Sequence, residues 1–137
     1  LQELLGMKTE QVNIKDWYFE GGIKTAAGKC RIVPIHDRIK PFVKALVDEG
    51  DKYLFTYQGK KFSQANYYKC WGEVMEKIGA DKTPHEARHT FETLLDNAKG
   101  NRKCIDMLMG HKSKDVGNRV YNHKTIQQLR ETIALLK

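Results

Sequence analysis

Thr83-Pro84-His85-Glu86-Ala87-Arg88-His89-Thr90-Phe91, continued by Glu92 to Asn97, is the stretch whose reading decides the fold. Thr83 is an N-cap residue, Pro84 suits a first helical position, and Glu86 stands three residues after Thr83, where it completes a capping box. A helix is therefore predicted from Pro84 to about Asn97. At 3.6 residues per turn, His85, Arg88, His89 and Glu92 share one polar face, with Ala87, Phe91 and Leu94 roughly opposite. The unpaired N–H groups of the first turn and the positive end of the dipole make that face favourable to an anion such as phosphate.

Working outward, Asn101 to Met109 reads as a second helix with Ile105, Leu108 and Met109 apolar and Gly110 as its stop, so that His111 is presented just past a helix end. Thr125 to Leu136 makes a third, in which Ile126, Leu129, Ile133 and Leu136 form an apolar stripe suited equally to the chain's own core or to a neighbouring protomer. Upstream, Ser63 opens a helix in which Tyr67, Trp71, Val74, Met75 and Ile78 recur at helical spacing, ending at Gly79; that stripe is read as core. Asp37 is the predicted cap of a helix over Arg38 to Asp48, with Pro41 in its first turn. A short apolar piece, Tyr53-Leu54-Phe55, lies between these two. Nearer the N-terminus, the β-branched and aromatic runs Val12 to Glu20 and Cys30 to Ile35, split by Gly21-Gly22 and Ala27-Gly28, predict an antiparallel meander with Ile23-Lys24-Thr25 as middle strand. Leu1 to Met7 reads as the last turns of a helix. The fold class expected is α+β, a single mainly α-helical domain with a small three-stranded antiparallel sheet near the N-terminus.

Composition agrees with one globular, basic domain: 137 residues with 24 Lys+Arg against 17 Asp+Glu leave a formal charge of +7, and 40% hydrophobic residues exclude a disordered or fibrous chain. No apolar run approaches the roughly 18 residues of a membrane span, so no membrane partner is expected. Cys30, Cys70 and Cys104 are odd in number and lack C-x-x-C spacing, which excludes a disulfide scaffold and a zinc ribbon and points to a reducing cytosol. Between Arg102 and Lys124, six basic residues stand against two acids, interleaved with His111, Tyr121 and His123; more than half of the excess charge sits there. Such a segment is either a solvated face or an electrostatic footprint for phosphates.

His85-Glu86-Ala87-Arg88-His89 also spells H-E-x-x-H, the zinc metallopeptidase pattern. Against that reading, Pro84 places His85 in the opening turn, Glu86 is spent on Thr83, and Leu95 occupies the position of the third histidine in the extended motif.

Taken together, His85-x-x-Arg88-His89-Thr90-Phe91, Leu108-Met109-Gly110-His111 and Tyr121-Asn122-His123 resemble the C-terminal catalytic domain of the tyrosine recombinases, the phage-integrase family. Ile23-Lys24-Thr25 with Arg31-Ile32-Val33-Pro34-Ile35 is similar to that family's β-hairpin, and the tail from Lys112 to Thr125 is most similar to integrases of Gram-positive phages and integrative elements. The resemblance implies site-specific DNA recombination on double-stranded DNA, by a homo-tetramer of the full-length protein, in the cytoplasm of a bacterial host, with no cofactor, metal or small-molecule substrate. It implies Tyr121 as the nucleophile that forms a 3′-phosphotyrosyl bond; a phenol of ordinary pKa about 10 needs a base or a positive field, and Lys112, Lys114 and Arg119 supply one in sequence. Arg88 is implied as the clamp on a non-bridging oxygen, His85 as an aid to proton transfer, His111 as a donor to the phosphate, and Lys24 as the acid for the 5′-oxygen leaving group. His89 and Glu86 are read as structural.

The chain departs from the pattern in two places. The family's first arginine precedes a glutamate by three residues; Glu3 matches that glutamate, which puts the arginine immediately before Leu1, outside this chain. The domain is thus expected to be N-terminally truncated, without the core-binding domain, and inactive in strand exchange by itself. His111 and Tyr121 are ten apart, where many members have nine. A DNA-binding remnant without catalysis is the alternative reading; a zinc metallopeptidase built on HEARH is a further one.

Overall fold

The computed structural model describes residues 1–21, 31–111 and 122–137, excluding the side chains of 122–125. Its elements are α1 (Gln2–Leu5), β1 (Val12–Asn13), β2 (Tyr18–Gly21), β3 (Arg31–Pro34), α2 (Lys40–Asp48), β4 (Thr56–Tyr57), β5 (Lys60–Lys61), α3 (Gln64–Lys77), α4 (Pro84–Asn97), α5 (Arg102–Met109) and α6 (Asn122–Ile133). The mainly helical α+β class with a small N-terminal antiparallel sheet is what the sequence led one to expect.

The sheet is cut differently from the prediction. Its order is β1-β2-β3, with Val12 opposite Phe19 and Phe19 opposite Val33, so the middle strand is β2. The run Val12 to Glu20 is not one strand, because the Asn13 side chain accepts from the Asp16 backbone N–H at 2.7 Å and turns the chain, with Trp17 at φ 52°. Ile23-Lys24-Thr25, the predicted middle strand, lies outside the described residues.

Capping chemistry sets the helix starts. The Ser63 hydroxyl accepts from Asn66 N–H at 3.2 Å, and the Asn101 side chain accepts from Cys104 N–H at 3.2 Å. Thr83 and Glu86 form the reciprocal box: the Thr83 hydroxyl accepts from Glu86 N–H at 3.3 Å and Glu86 accepts from Thr83 N–H at 2.8 Å. These bonds, with Lys82 added, hold the Glu86 carboxyl below the usual range, the Thr83 backbone donor first among the causes. Asp37 is not a cap: α2 starts after Ile39 with no side-chain cap, and the 3-10 turn Asp37–Ile39 that leads into it is capped by His36. His36 Nδ1 accepts from Arg38 N–H, while Asp37 is drawn into an ion pair with Lys40 at 2.5 Å. With Nδ1 accepting, His36 Nε2 carries the proton and donates to the Leu136 carbonyl at 3.0 Å, tying this corner to the end of the chain.

The core is formed by Leu95 of α4, by Cys104, Ile105, Leu108 and Met109 of α5, and by Leu129 and Ile133 of α6, with Phe91 and Val33 packed against it. The α6 stripe thus lies in the chain's own core. Two sequence expectations are corrected here. The inward face of α4 is centred on Leu95, with Phe91 and Glu92 half-buried, and leaves Leu94 half-exposed, while Arg88 is itself exposed with its guanidinium turned onto the end of α5. The stripe of α3 is not core: Val74 and Ile78 are 50% and 64% exposed. Its first half instead joins an aromatic row, with Tyr57 stacked on Phe62 at 5.5 Å and Tyr67 stacked on Trp71 at 6.0 Å, that runs onto the β4–β5 hairpin. That hairpin closes through Gln58 and Gly59, both at positive φ, the two-residue turn whose twist suits paired strands.

Candidate active site

The site gathers at the C-terminal end of α5. Gly110 adopts φ 70°, ψ 26°, which ends the helix in the left-handed region, and the His111 N–H returns to the Asp106 carbonyl at 2.9 Å. That six-to-one closure is a Schellman end, and it carries His111 back over the last turn. Arg88, 23 residues earlier in the chain, donates from Nη2 to the Met109 carbonyl, one of the orphan acceptors of the same helix end. Arg88 and His111 are thereby brought to one place by a single carbonyl and a glycine. His85, one turn before Arg88 on α4, lies edge-on to His89 with ring centroids 4.7 Å apart. Lys24 and Tyr121 lie outside the described residues; α6 begins at Asn122, the residue after Tyr121.

Two guanidinium groups that the sequence reading passed over join this end. Arg31 of β3 donates from Nη2 to Glu3 Oε1 of α1 at 2.9 Å, and its Nη1 lies against Gly110 Cα, where a Cβ would stand. The Glu3 carboxylate in turn fills the space over Gly21. Arg31 is the one described side chain with a buried, unpartnered polar atom, Nε. The signal that could have marked it is the pairing of a strand arginine with the glutamate of an opening helix, but only the fold brings the two together.

Arg102 of α5 holds three carboxylates: Glu92 at 2.6 Å, Asp96 at 2.9 Å and Asp106 at 2.9 Å. Its own proton is held more firmly than usual, the Glu92 hydrogen bond foremost among the causes. Asp106 Oδ1 also faces His111 Nδ1 at 3.7 Å. Glu92, Asp106 and His111 each offer a ligand atom within 4.8 Å of the others. The Arg102 guanidinium already sits against both carboxylates, so the charge a metal ion would bring is supplied by the chain itself. Glu86 of the H-E-x-x-H pattern points back to Thr83 and Lys82.

Residues 1–128 match the phage integrase family. The chain belongs to that family. Over its full length, this member of the phage integrase family is 28% identical to the tyrosine recombinase XerA of Pyrococcus horikoshii, covering 50% of that protein. It is 27% identical to the tyrosine recombinase XerC of Haemophilus influenzae over 96% of this chain and 46% of that one. A tyrosine recombinase of Thermosipho africanus is 29% identical over 73% of the chain. The chain spans about half the length of XerA and XerC. No solved structure matches it. Among the described residues no helix is long and apolar enough to cross a membrane.

Proposed function

We propose that this domain is the catalytic part of a site-specific DNA recombinase that cleaves and rejoins DNA strands through a covalent tyrosine intermediate. Family membership supports recombination in general. The observation that carries the finer reading is the convergence of Arg88 and His111 on the end of α5, on one side of the segment that leads to Tyr121.

In the proposed reaction the Tyr121 phenolic oxygen attacks the scissile phosphorus, the bond to the 5′-oxygen breaks, and a 3′-phosphotyrosyl bond forms. Arg88 places a planar fork of donors against a non-bridging oxygen, where charge grows in the pentacoordinate transition state. His111 donates to the same phosphate, His85 assists proton transfer, and Lys24 delivers a proton to the departing 5′-oxygen. The energy of the broken ester is kept in the phosphotyrosine, and the reverse attack by a 5′-hydroxyl reseals the strand. The substrate is double-stranded DNA and the working unit a tetramer of the longer protein. The tail from Lys112 to Thr125 favours an integrase of a Gram-positive phage or integrative element, acting in the bacterial cytoplasm.

The test uses the intact protein in EDTA with a nicked suicide substrate from the end of its element, run on a denaturing gel beside Tyr121→Phe. A covalent protein–DNA band that disappears in the variant is the expected result. DNA that is bound but never joined to protein in the wild type would move the assignment to a non-catalytic DNA-binding domain.

A further inference from the structure

The side chain of Asp106 has no part in the chemistry just proposed, yet it is a carboxylate held in place beside the His111 ring. Asp106 and His111 are five apart, one residue more than a helical turn spans, and they meet only because Gly110 reverses the chain. The backbone bond from His111 N–H to the Asp106 carbonyl fixes one end of the histidine, and Asp106 Oδ1 at 3.7 Å from Nδ1 addresses the other. Oδ1 is itself fixed, since Arg102 Nη2 reaches it at 2.9 Å while the same guanidinium is anchored on α4 by Glu92 and Asp96. A planar fork held at three points leaves the Asp106 carboxylate little choice of rotamer. Three carboxylates around one guanidinium also leave Asp106 with charge to spare. Among the described residues, Arg88 at the Met109 carbonyl and Arg31 against Gly110 are further charged groups beside this helix end.

We propose that Asp106, braced by Arg102 on Glu92, is a positioning residue for His111: it faces the Nδ1–H of the imidazole and so turns the Nε2–H donor toward the DNA phosphate. The inference rests on the reading of His111 as the phosphate's partner given above. Its physical basis is that an imidazole has two distinct nitrogens, and the group facing one of them decides which is left for chemistry. The His111 side chain is 45% exposed, and its contacts at this helix end, among the described residues, are this carboxylate and the backbone bond. Losing the carboxylate returns the ring to a mixture of rotamers and tautomers, most of which present no correctly aimed nitrogen. The metal-ligand geometry of Glu92, Asp106 and His111 has the same origin, with Arg102 as its resident cation.

The experiment measures single-turnover cleavage by the intact protein at saturating suicide substrate, DNA affinity by fluorescence anisotropy, and the His111 ring 15N shifts. Asp106→Ala is expected to slow cleavage about tenfold while DNA affinity stays within about twofold, and to add nothing further in a His111→Gln background. Asp106→Asn, which keeps an acceptor beside Nδ1, is expected to recover most of the rate. The wild-type ring is expected to carry a proton on Nδ1, a readout that stands even where the alanine variant fails to fold. An equal loss in the His111→Gln background, a loss traced to weaker DNA binding, or an Nδ1 without a proton overturns the inference while leaving the recombinase intact. A His111→Gln protein that cleaves at the wild-type rate, or a wild type without a covalent product, removes the underlying functional reading instead.

Discussion

Replacing Gly110 by alanine should cost about 3 kcal/mol, and the reason has two separable parts. A Cβ at φ 70° is in the left-handed region, which costs an alanine about 1–2 kcal/mol. The same Cβ would collide with Arg31 Nη1. The end of an arginine can usually swing aside cheaply, but this side chain is only 17% exposed and is tied to Glu3 at 2.9 Å. Moving it strains or breaks a charge-assisted hydrogen bond worth about 1.5–3 kcal/mol, of which a partial loss brings the total near the figure given. In a chain of this size that lowers Tm by roughly 10 °C. The assay is thermal unfolding followed by circular dichroism, in the native background and in Arg31→Ala. With Arg31 removed, Gly110→Ala should cost only its backbone part, roughly 5 °C. Gly110→Asn, which tolerates the left-handed region but still carries a Cβ, should lose mainly the steric part. An unchanged cost of Gly110→Ala in the Arg31→Ala background would refute the reasoning, because it would mean that Arg31 does not lean on the glycine.

Leu129→Ala should destabilise by about 2–5 kcal/mol, measured by urea unfolding, because Leu129 is 2% exposed in the core; Leu129→Asp should leave no cooperative transition. By contrast Val74→Asp and Ile78→Asp, on the open half of α3, should shift stability by no more than about 0.5 kcal/mol in the same assay. Thr83→Ala should cost about 1 kcal/mol as the lost cap of α4. Glu86 sets a pH dependence of known sign: its folded carboxyl is lowered, so its contribution is present above the ordinary glutamate range and fades as the pH falls through the lowered value. The Tm difference between wild type and Glu86→Gln should therefore shrink toward zero in acid, and a difference that grows there would contradict the capping-box geometry.

What could be read from the letters is what local chemistry decides. Thr83, Pro84 and Glu86 settle the start of α4 within four residues of chain, and Asn101 and Gly110 bound α5 in the same way. Asp37, the one cap expected ahead of α2, is taken by Lys40 instead, a contact that the capping rule does not contain, and His36 before it does the capping. The face of α4 that turns inward was misjudged for a similar reason. Periodicity sorts residues by polarity, whereas the packing of α5 and α6 decides which apolar positions are covered, burying Leu95 and leaving Leu94 half-exposed. The α3 stripe shows the converse, since apolar spacing describes a face able to be buried and not the partner that buries it. The order His85, Arg88, His111, Tyr121, on which the proposed function rests, is a linear pattern that the letters can offer, whereas Arg31, Arg102 and Asp106 come to the end of α5 only when β3, α4 and α5 meet.

The arrangement of the core explains why these residues can work together. His111 follows α5, whose Ile105, Leu108 and Met109 are buried, and Tyr121 precedes α6, whose Leu129 and Ile133 are buried in the same cluster. Both flanks of 112–121 are thus secured to one apolar surface, and Phe91 and Leu95 secure α4, with His85 and Arg88, to it as well. On the proposed reading, the shared core is what fixes Arg88 and His111 relative to the start of α6. The length of the segment between His111 and Tyr121 leaves the anchoring of either flank unchanged, because the anchoring residues lie outside it. For this domain, then, the core residues of α5 and α6 are as much a condition of the proposed chemistry as the side chains that touch the phosphate.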